Sequence, residues 1–249
     1  MRSIAVALLT LCAFAQQPEI EPPYVDPGPP PADAVIVFDG NSLSGWVDGQ
    51  GNAITWELKD GVMVSRTNRD RPGTNHVFSK EKFTGAQLHL EFAVPSMPDK
   101  TGQARGNSGV YLQSRYEIQI LDSYQNPTYV KGMCGALYGL SAPLVNACRP
   151  PEQWQSYDII FHPPACDGAG GYIRPGSVTV LHNGVLIQDH VKVTAEQKCD
   201  PSPGPLMLQD HYHPDAAETP MRFRNIWFRR IADEVQQSNG NTGRRTGRD

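Results

Sequence analysis

The sequence predicts an all-β fold, a two-sheet sandwich of jelly-roll type, and three observations carry that prediction. Short segments in which apolar and polar residues alternate recur along the chain, and no long helical pattern interrupts them. Gly and Pro turn signals separate these segments, and Asn183-Gly184 stands between two β-rich runs as a hairpin turn. The alternating region has no proline-rich linker, which disfavours a pair of immunoglobulin-like domains.

The predicted strands follow one another closely. They are Ile54–Leu58, Val62–Ser65, Gln87–Val94, Val110–Leu121, Trp154–Phe161, Ser177–Leu181, Val185–Gln188, Pro205–Gln209 and Met221–Ile231. A first strand and turn are expected at Phe38–Trp46, with Trp46 in the core. Hydrophobic residues make up 39% of the 249 residues, which permits a sizeable core.

The two ends of the chain differ in composition from this block. Residues 1–15 have the form of a secretory signal peptide. They have a charged start, continue with an apolar run too short to span a membrane, and end in the small-x-small pattern of a cleavage site. Residues 16–33 are rich in proline and are expected to form an extended tether, and residues 233–249 a disordered tail. The sequence therefore predicts one domain over residues 34–232, exported to the periplasm or the extracellular space.

Charge and cysteine content narrow the possible partners and cross-links. The net charge is −4, and the patterned region has no Lys/Arg cluster, so nucleic acid is not an expected partner. Four of the five cysteines follow the signal peptide, which permits two disulfides in three connectivities. We favour Cys134–Cys148 and Cys166–Cys199, because each pair brackets one loop-rich stretch. Zinc is the weaker alternative, because no pair has the two-residue spacing of structural zinc ligands.

One face of the predicted strand Val110–Leu121 is polar. As a single strand it would turn one set of side chains away from the core: Tyr111, Gln113, Arg115, Glu117 and Gln119. The same parity places His89 and Glu91 on an outer face. A solvated sheet can have this composition, but Gln, Arg, Glu and Tyr also form directed hydrogen bonds with sugar hydroxyls. The pattern therefore predicts a carbohydrate-binding surface.

Glu117 is the carboxylate on which the candidate mechanisms depend. Paired with Asp122 or Glu91, it would form the two-acid site of an ordinary glycosidase. Asp122, however, falls on the opposite face of a regular strand unless a bulge intervenes. His211 closes the run Pro205–Gln209 and is either a turn histidine or an alternative base. His182, beside the Asn-Gly turn, is expected to be structural, and the alternative is an acid or base at the rim of the sheet, because an imidazole titrates near pH 7.

Seven motifs occur in order along the chain: Phe38–Trp46, Gly106–Tyr124, Cys134–Gly139, Trp154–Phe161, His182–Gly184, Gly204–His211 and Arg222–Trp227. Together they resemble the 3-keto-disaccharide hydrolase family, also described as 3-keto-glucoside lyase/hydratase domains. The resemblance covers essentially all of residues 34–232. It implies a concanavalin A-like jelly roll in an exported bacterial protein that acts on glycosides already oxidised at carbon 3. The ketone acidifies the proton on carbon 2, so elimination releases the aglycone and water then adds to the enone.

The resemblance also implies roles for individual residues. Glu117 and His211 are the candidate catalytic residues, and Glu117 and Asp122 are candidate ligands of a divalent ion such as Mn²⁺ or Ca²⁺. The candidate substrate-binding residues are Gln113, Arg115, Gln119, His182, Gln209 and Arg224. Arg115 is expected to lower the pKa of Glu117.

The expected partner is an oxidised glycoside or disaccharide, which an upstream sugar oxidoreductase would supply. No organic cofactor is expected. A non-catalytic carbohydrate-binding module and an ordinary two-carboxylate glycosidase remain the alternatives.

Overall fold

The computed structural model describes residues 25–26, 28–67, 75–194, 198–211 and 219–231. Two compact units are distinguished, Met1–Asp33 and Ala34–Asp249. In the described part of the first unit, the Asp26 carboxylate accepts a hydrogen bond from the Gly28 N–H. The signal peptide predicted over 1–15, the tail over 233–249 and much of the tether over 16–33 lie outside the described residues. Those boundaries stay predictions.

The described part of the second unit consists mainly of strands. They are β1 (Val35–Phe38), β2 (Trp46–Val47), β3 (Glu57–Lys59), β4 (Val62–Val64), β5 (Val77–Phe83), β6 (Gly85–Ala93), β7 (Asn107–Leu112), β8 (Tyr116–Leu121), β9 (Gln155–His162), β10 (Ala165–Cys166), β11 (Tyr172–Arg174), β12 (Gly176–His182), β13 (Val185–Val193), β14 (Gly204–Leu208) and β15 (Arg222–Ile231). Two short 3₁₀ helices span Gly102–Ala104 and Val130–Gly132. No helix among the described residues is long and apolar enough to cross a membrane.

The strands form two large antiparallel sheets. The eight-stranded sheet has the order β13-β12-β9-β6-β15-β4-β3, with β1 also paired to β15. The five-stranded sheet has the order β2-β5-β14-β7-β8, and β10 and β11 form a small separate ribbon. Strands distant in sequence are thus neighbours in both sheets, which is typical of a jelly roll. The predicted two-sheet sandwich is confirmed.

The core lies between the inner faces of the two sheets, where alternation places the apolar residues. Leu90 of β6 and Val110 of β7 are both fully buried, one from each sheet. The ring of Phe83 on β5 reaches across the sandwich to Phe228 and Phe161, with ring centroids 5.2 and 6.5 Å away. Full burial of one such side chain contributes about 1.5–3 kcal/mol, so this interlayer packing is a main source of stability.

The segment predicted as one strand over Val110–Leu121 is a hairpin of β7 and β8. Its turn includes Gln113 and Ser114, whose φ angles are 53° and 57°. This left-handed conformation is uncommon outside Gly, Asn and Asp, so the sequence carries no turn signal here. Tertiary hydrogen bonds hold the turn instead, because the buried Gln113 amide donates to the carbonyl oxygens of Phe83 and Thr84.

The other turns and strands agree more closely with expectation. Asn183 and Gly184 have φ angles of 53° and 80° and join β12 to β13, as predicted for an Asn-Gly turn. Trp46 is buried, also as predicted. The strand β5 was missed because its sequence VFSKEKF exposes three successive residues, which breaks the period of two.

The cysteines differ from the prediction in one pair. Cys166 and Cys199 form the expected disulfide, with their Cα atoms 5.5 Å apart. Cys134 and Cys148 are free thiols, so the second predicted disulfide is wrong. Cys134 Sγ also lies 3.0 Å from the Tyr157 hydroxyl.

Candidate functional site

A glycine in the middle of β7 makes room for the Glu117 carboxyl group. The hairpin register pairs Tyr111 with Glu117 and Gly109 with Gln119. A Cβ atom at Gly109 would lie only 2.3 Å from Glu117 Oε1 and 2.9 Å from the Tyr111 ring. Glu117 therefore folds back over the sheet into the space that Gly109 leaves open.

A cleft of about 520 Å³ opens at this hairpin. Its volume is in the range of sites that bind ligands larger than a single sugar ring. Glu117 is the one carboxylate among the described residues that line it. The lining also includes Tyr111, Arg115, Tyr138, Leu140 and Thr194.

The segment after the second 3₁₀ helix forms one wall of the cleft. It pairs with the outer edge of β8, because the Tyr138 N–H donates to the Glu117 carbonyl and the Gln119 N–H donates to the Ala136 carbonyl. The Tyr138 side chain is 42% exposed, and its hydroxyl is 2.5 Å from the Tyr129 hydroxyl. An exposed aromatic ring therefore stands at the mouth of the cleft, beside Glu117.

The surroundings of Glu117 favour its protonated form. Burial raises the pKa of Glu117 to about 7, although the hydrogen bond from the Tyr111 hydroxyl opposes that rise. Burial and the neighbouring carboxyl group raise the pKa of Tyr111, which keeps its phenol protonated. Gln209 Nε2 donates to the Tyr111 hydroxyl oxygen at 3.1 Å and fixes its position. The result is a carboxyl group that can exchange a proton near neutral pH.

Arg115 lines the cleft but does not act on Glu117 as expected. Its guanidinium forms an ion pair with the Asp200 carboxylate and donates to the Ser202 carbonyl at 3.1 Å. It also donates to Gln113 Oε1 at 3.0 Å. The prediction that Arg115 lowers the pKa of Glu117 is wrong, because these acceptors hold the guanidinium and burial dominates at Glu117.

Gln113 and Gln119, predicted to bind the sugar, are both buried and do not line the cleft. Gln113 supports the turn described above. Gln119 Nε2 donates to Gln103 Oε1 at 3.2 Å and to the Gly132 carbonyl at 3.3 Å. Neither amide faces the cleft, because the hairpin turn carries Gln113 toward β5 and the chain after β8 covers Gln119.

His211 and Gln209 lie at a different, much smaller cavity of about 20 Å³, which Asn107 and Asp210 also line. That space holds less than a sugar ring. Gln209 reaches the cleft indirectly, through its hydrogen bond to Tyr111. His211 does not line the Glu117 cleft, so the structure does not place it as a second base there.

Arg224 and Glu91 belong to the outer face of the eight-stranded sheet. Arg224 Nε donates to Glu91 Oε2 at 2.8 Å, and its guanidinium lies over the Trp154 ring at 4.0 Å from the centroid. Burial disfavours the charged form of Glu91, but hydrogen bonds from Asn225 and Arg224 outweigh it and lower the pKa. Because Glu91 and Glu117 lie on different sheets, they do not form an acid pair, and Arg224 is not a neighbour of Glu117.

Asp122 does not join Glu117 as a metal ligand. Its buried carboxylate accepts from Arg105 Nε at 2.6 Å and from the Tyr124 N–H at 3.2 Å. Mn²⁺ and Ca²⁺ take several oxygen ligands, and this pair does not assemble them, so we assign no chemical step to such an ion. Among the described residues, a group that could hold a metal ion is instead Cys134, Cys148 and His182.

His182 is a core histidine rather than a sugar ligand. Its Nε2 is 2.8 Å from Gln155 Oε1, and its ring packs against Phe92 and Tyr157. Burial, together with the charge of Arg149, lowers the pKa of His182 to about 4. The substrate-binding role is therefore wrong, and the structural role that the turn position favoured is observed.

The sequence matches the 3-keto-alpha-glucoside-1,2-lyase-like domain over residues 33–229. The chain belongs to this family. Its members are carbohydrate-active, lyase- and hydrolase-like domains, and the cleft with Glu117 is the candidate active site. A search of the curated proteins finds no match.

Solved structures show the same fold. A Parabacteroides distasonis protein named "putative glycosyl hydrolase" is 39% identical, with a TM-score of 0.78 over 87% of this chain and 95% of its own. A second protein of that name and organism is 17% identical, with a TM-score of 0.58 over 80% of this chain and 94% of its own. A third is 19% identical, with a TM-score of 0.53 over 80% and 99%. The last two support the fold alone.

Gly109 and Tyr129 belong to the surroundings of the site, although neither is among the residues predicted from the sequence. A glycine inside an alternating strand indicates close approach of another group, and that signal was available for Gly109. Tyr129 has no comparable signal, because its role depends on the fold of the wall that carries Tyr138.

Proposed function

We propose that this protein cleaves 3-keto-glycosides by elimination across carbons 1 and 2, followed by hydration. The observation that carries the proposal is Glu117, a single carboxyl group with a pKa of about 7 in a 520 Å³ cleft. A general base works best when its pKa lies near the operating pH. Family membership and the 39% identical P. distasonis protein support a carbohydrate substrate.

In the first step, the Glu117 carboxylate removes the proton from carbon 2 of the keto sugar. The electron pair of that C–H bond forms the C1=C2 double bond, and the bond from carbon 1 to the glycosidic oxygen breaks. The leaving oxygen takes a proton, and Glu117 is suited to return the one it removed, because both of its protonation states are accessible near pH 7. The products are an enone conjugated with the carbon 3 ketone and the free aglycone.

In the second step, water adds to carbon 1 of the enone, and carbon 2 regains a proton. The net reaction is hydrolysis of the glycosidic bond, with the ketone retained. The Tyr111 phenol, which stays protonated, donates a hydrogen bond to Glu117 and holds its carboxyl group in place. The exposed ring of Tyr138 offers a face on which a sugar ring stacks.

The two-carboxylate mechanism has less support from the geometry. It places two acids about 5–5.5 Å apart for retention or roughly 6.5–9.5 Å apart for inversion. Among the described residues that line the cleft, Glu117 is the one carboxylate. Asp122 and Glu91, the two possible partners, form ion pairs with Arg105 and Arg224. Elimination needs only one base, because the ketone supplies the acidity.

We also propose that the protein is exported and that a sugar oxidoreductase produces its substrate. The signal-like N-terminus and the Cys166–Cys199 disulfide support export to an oxidising compartment. The oxidoreductase follows from the chemistry, since a glycoside must acquire its ketone before this elimination. A hard divalent ion such as Mn²⁺ or Ca²⁺ remains a separate proposal.

The test compares a 3-keto-glucoside with its unoxidised parent, each incubated with the purified protein with and without chelator. We expect aglycone release from the keto compound alone. In deuterated water, carbon 2 of the released keto sugar should carry deuterium in place of hydrogen. Cleavage of the parent would favour the glycosidase, and binding without release would favour a carbohydrate-binding module. Unchanged turnover in chelator would exclude the Mn²⁺ or Ca²⁺ requirement.

A further inference from the structure

Two thiols and an imidazole meet inside the sandwich, apart from the residues that line the cleft. Cys134 follows the second 3₁₀ helix, Cys148 lies in the loop before β9, and His182 ends β12. Their potential ligand atoms all lie within 4.8 Å of one another. Cys134 and His182 are buried, whereas Cys148 is half-buried and packs against the edge of the core. Residues far apart in sequence thus place three metal-binding groups at one point.

One ring nitrogen of His182, Nδ1, accepts no hydrogen bond from the described residues. Its Nε2 is bonded to Gln155 Oε1, an oxygen that also accepts the Arg149 N–H at 3.0 Å. Because that oxygen is an acceptor, Nε2 carries the ring proton and Nδ1 carries the lone pair. Nδ1 is buried and has no hydrogen-bond partner in the described structure. A buried polar atom in this state is destabilising unless a ligand satisfies it.

We propose that Cys134, Cys148 and His182 bind a zinc ion through two thiolates and the Nδ1 atom. Zinc accepts sulfur and nitrogen ligands, whereas Mn²⁺ and Ca²⁺ prefer oxygen. Zn–S bonds of about 2.3 Å and Zn–N bonds of about 2.0–2.1 Å place the ligands of a tetrahedral ion roughly 3.6–3.8 Å apart. With one ring nitrogen of His182 counted, the three ligand atoms lie within 4.8 Å of one another, so they would approach by up to about 1 Å to reach that geometry.

The neighbouring residues fit the same assignment. Gln155 fixes the tautomer that leaves Nδ1 free to ligate, as hydrogen-bond partners of zinc-bound histidines do. The Tyr157 hydroxyl donates to the Gln119 carbonyl oxygen at 2.7 Å and lies 3.0 Å from Cys134 Sγ, so it helps to hold that sulfur atom in the cluster. On binding, the two thiols release their protons to solvent, so no oxidant or reductant is required.

A disulfide between Cys134 and Cys148 is the competing assignment. It would use both sulfur atoms but leave the Nδ1 atom of His182 unsatisfied. The structure closes Cys166–Cys199 as a disulfide and keeps the other two cysteines as thiols. Zinc accounts for all three side chains together.

The ion would join the segment that pairs with β8 to the eight-stranded sheet. The chain that leaves Cys134 pairs with the edge of β8 and carries Tyr138, whereas His182 belongs to the eight-stranded sheet. Zinc would therefore hold the Tyr138 wall against the sandwich. This role does not depend on which glycoside the cleft accepts.

The experiment measures zinc in the full-length protein isolated without chelator, and Co²⁺ binding to the reduced, metal-free protein. We expect one zinc per chain and a near-ultraviolet thiolate-to-cobalt charge-transfer band. Saturating zinc should raise the melting temperature by about 5–10 °C, because it binds the folded state alone. Cys148→Ser and His182→Asn should lose both effects. His190→Asn is the matched control, since His190 is exposed and its φ of 49° suits asparagine.

Three results would overturn the site. The first is a Cys134–Cys148 disulfide in peptides of the protein isolated without reductant. The second is a reduced wild-type protein that gives no charge-transfer band with Co²⁺. The third is a band that persists in Cys148→Ser, where the half-buried position makes misfolding a poor explanation of any change. None of these readouts requires catalytic turnover, so they are independent of the proposed reaction.

Discussion

At the scale of single residues, the chemistry depends on one carboxyl group and the hydroxyl beside it. Glu117 has a raised pKa because β7 and the Tyr138 wall shield it from water. The same burial that makes it a base near pH 7 destabilises the folded protein whenever the group is ionised. Function and stability should therefore respond in opposite directions when Glu117 is replaced.

Glu117→Gln should lower turnover of a 3-keto-glucoside by about 10²–10⁴-fold, because amide nitrogen and oxygen cannot accept the carbon 2 proton. The native pKa of about 7 exceeds the ordinary value of 4.5, so wild-type stability falls as pH rises from about 4.5 through 7. Glutamine lacks this loss. The variant should match wild type at pH 4.5 and exceed it at pH 8 by up to about 3 kcal/mol in urea unfolding. Full turnover in Glu117→Gln would remove it from the mechanism.

The pH profile offers a second test at this scale. The base must be ionised, so kcat/KM should rise with pH through an inflection near 7. Tyr111→Phe removes the hydrogen bond that holds the pKa of Glu117 down, so the inflection should move to higher pH. Tyr129→Phe keeps that bond and serves as the control. An inflection near 4.5, or one that Tyr111→Phe leaves in place, would contradict the assignment.

At the scale of elements, the β7–β8 hairpin positions the site. Alternation placed Glu117 on the outward face, and the turn then brought Tyr111 opposite to it. Gly109 matters because it is the residue over which the carboxyl group lies. The shape of the site thus depends on the pairing of β7 with β8 and on the absence of a side chain at Gly109.

Gly109→Ala should lower kcat/KM by about 10- to 100-fold, because a misplacement of roughly 1 Å has effects of that order. The new Cβ would lie 2.3 Å from Glu117 Oε1 and must displace it. Gly168→Ala is the control, since a Cβ there meets nothing within 4 Å. Kinetics of both variants, with melting temperatures measured in parallel, separate displacement from unfolding. Equal activity in the two variants would contradict this account of the site.

At the scale of the whole molecule, a covalent link lies beside the segment that holds Arg115, one of the residues that line the cleft. The Cys166–Cys199 disulfide precedes Asp200 and Ser202, which hold the Arg115 guanidinium at the hairpin turn. The link therefore connects the β10–β11 ribbon to the chain beside the cleft. Its loss should affect both global stability and substrate binding.

The double variant Cys166→Ser, Cys199→Ser should lose about 2–4 kcal/mol of stability, as expected for closure of a loop of this size. KM for the keto-glycoside should rise more than kcat falls, because Arg115 lines the cleft and its guanidinium donates to Gln113, Asp200 and Ser202 rather than to Glu117. Urea unfolding and steady-state kinetics check the two effects. An unchanged KM would show that the disulfide stabilises the fold without shaping the cleft.

The sequence by itself determined the features that depend on local pattern. Alternation defined most strands and the sandwich class, Asn183-Gly184 defined its hairpin, and motifs in order defined the family. It also singled out Glu117, since parity alone turns that residue away from the core. These properties depend on chain geometry over a few residues, which a sequence records directly.

Only the tertiary structure decided what each polar group faces. Gln113 and Ser114 turn without a glycine because distant carbonyl groups hold them, and Gln119 is covered by the chain that follows it. His182 meets two thiols from another part of the sandwich. The burial of a side chain, its pKa and its ligands depend on residues tens of positions away. Strand order brings those residues together, and no local pattern encodes it.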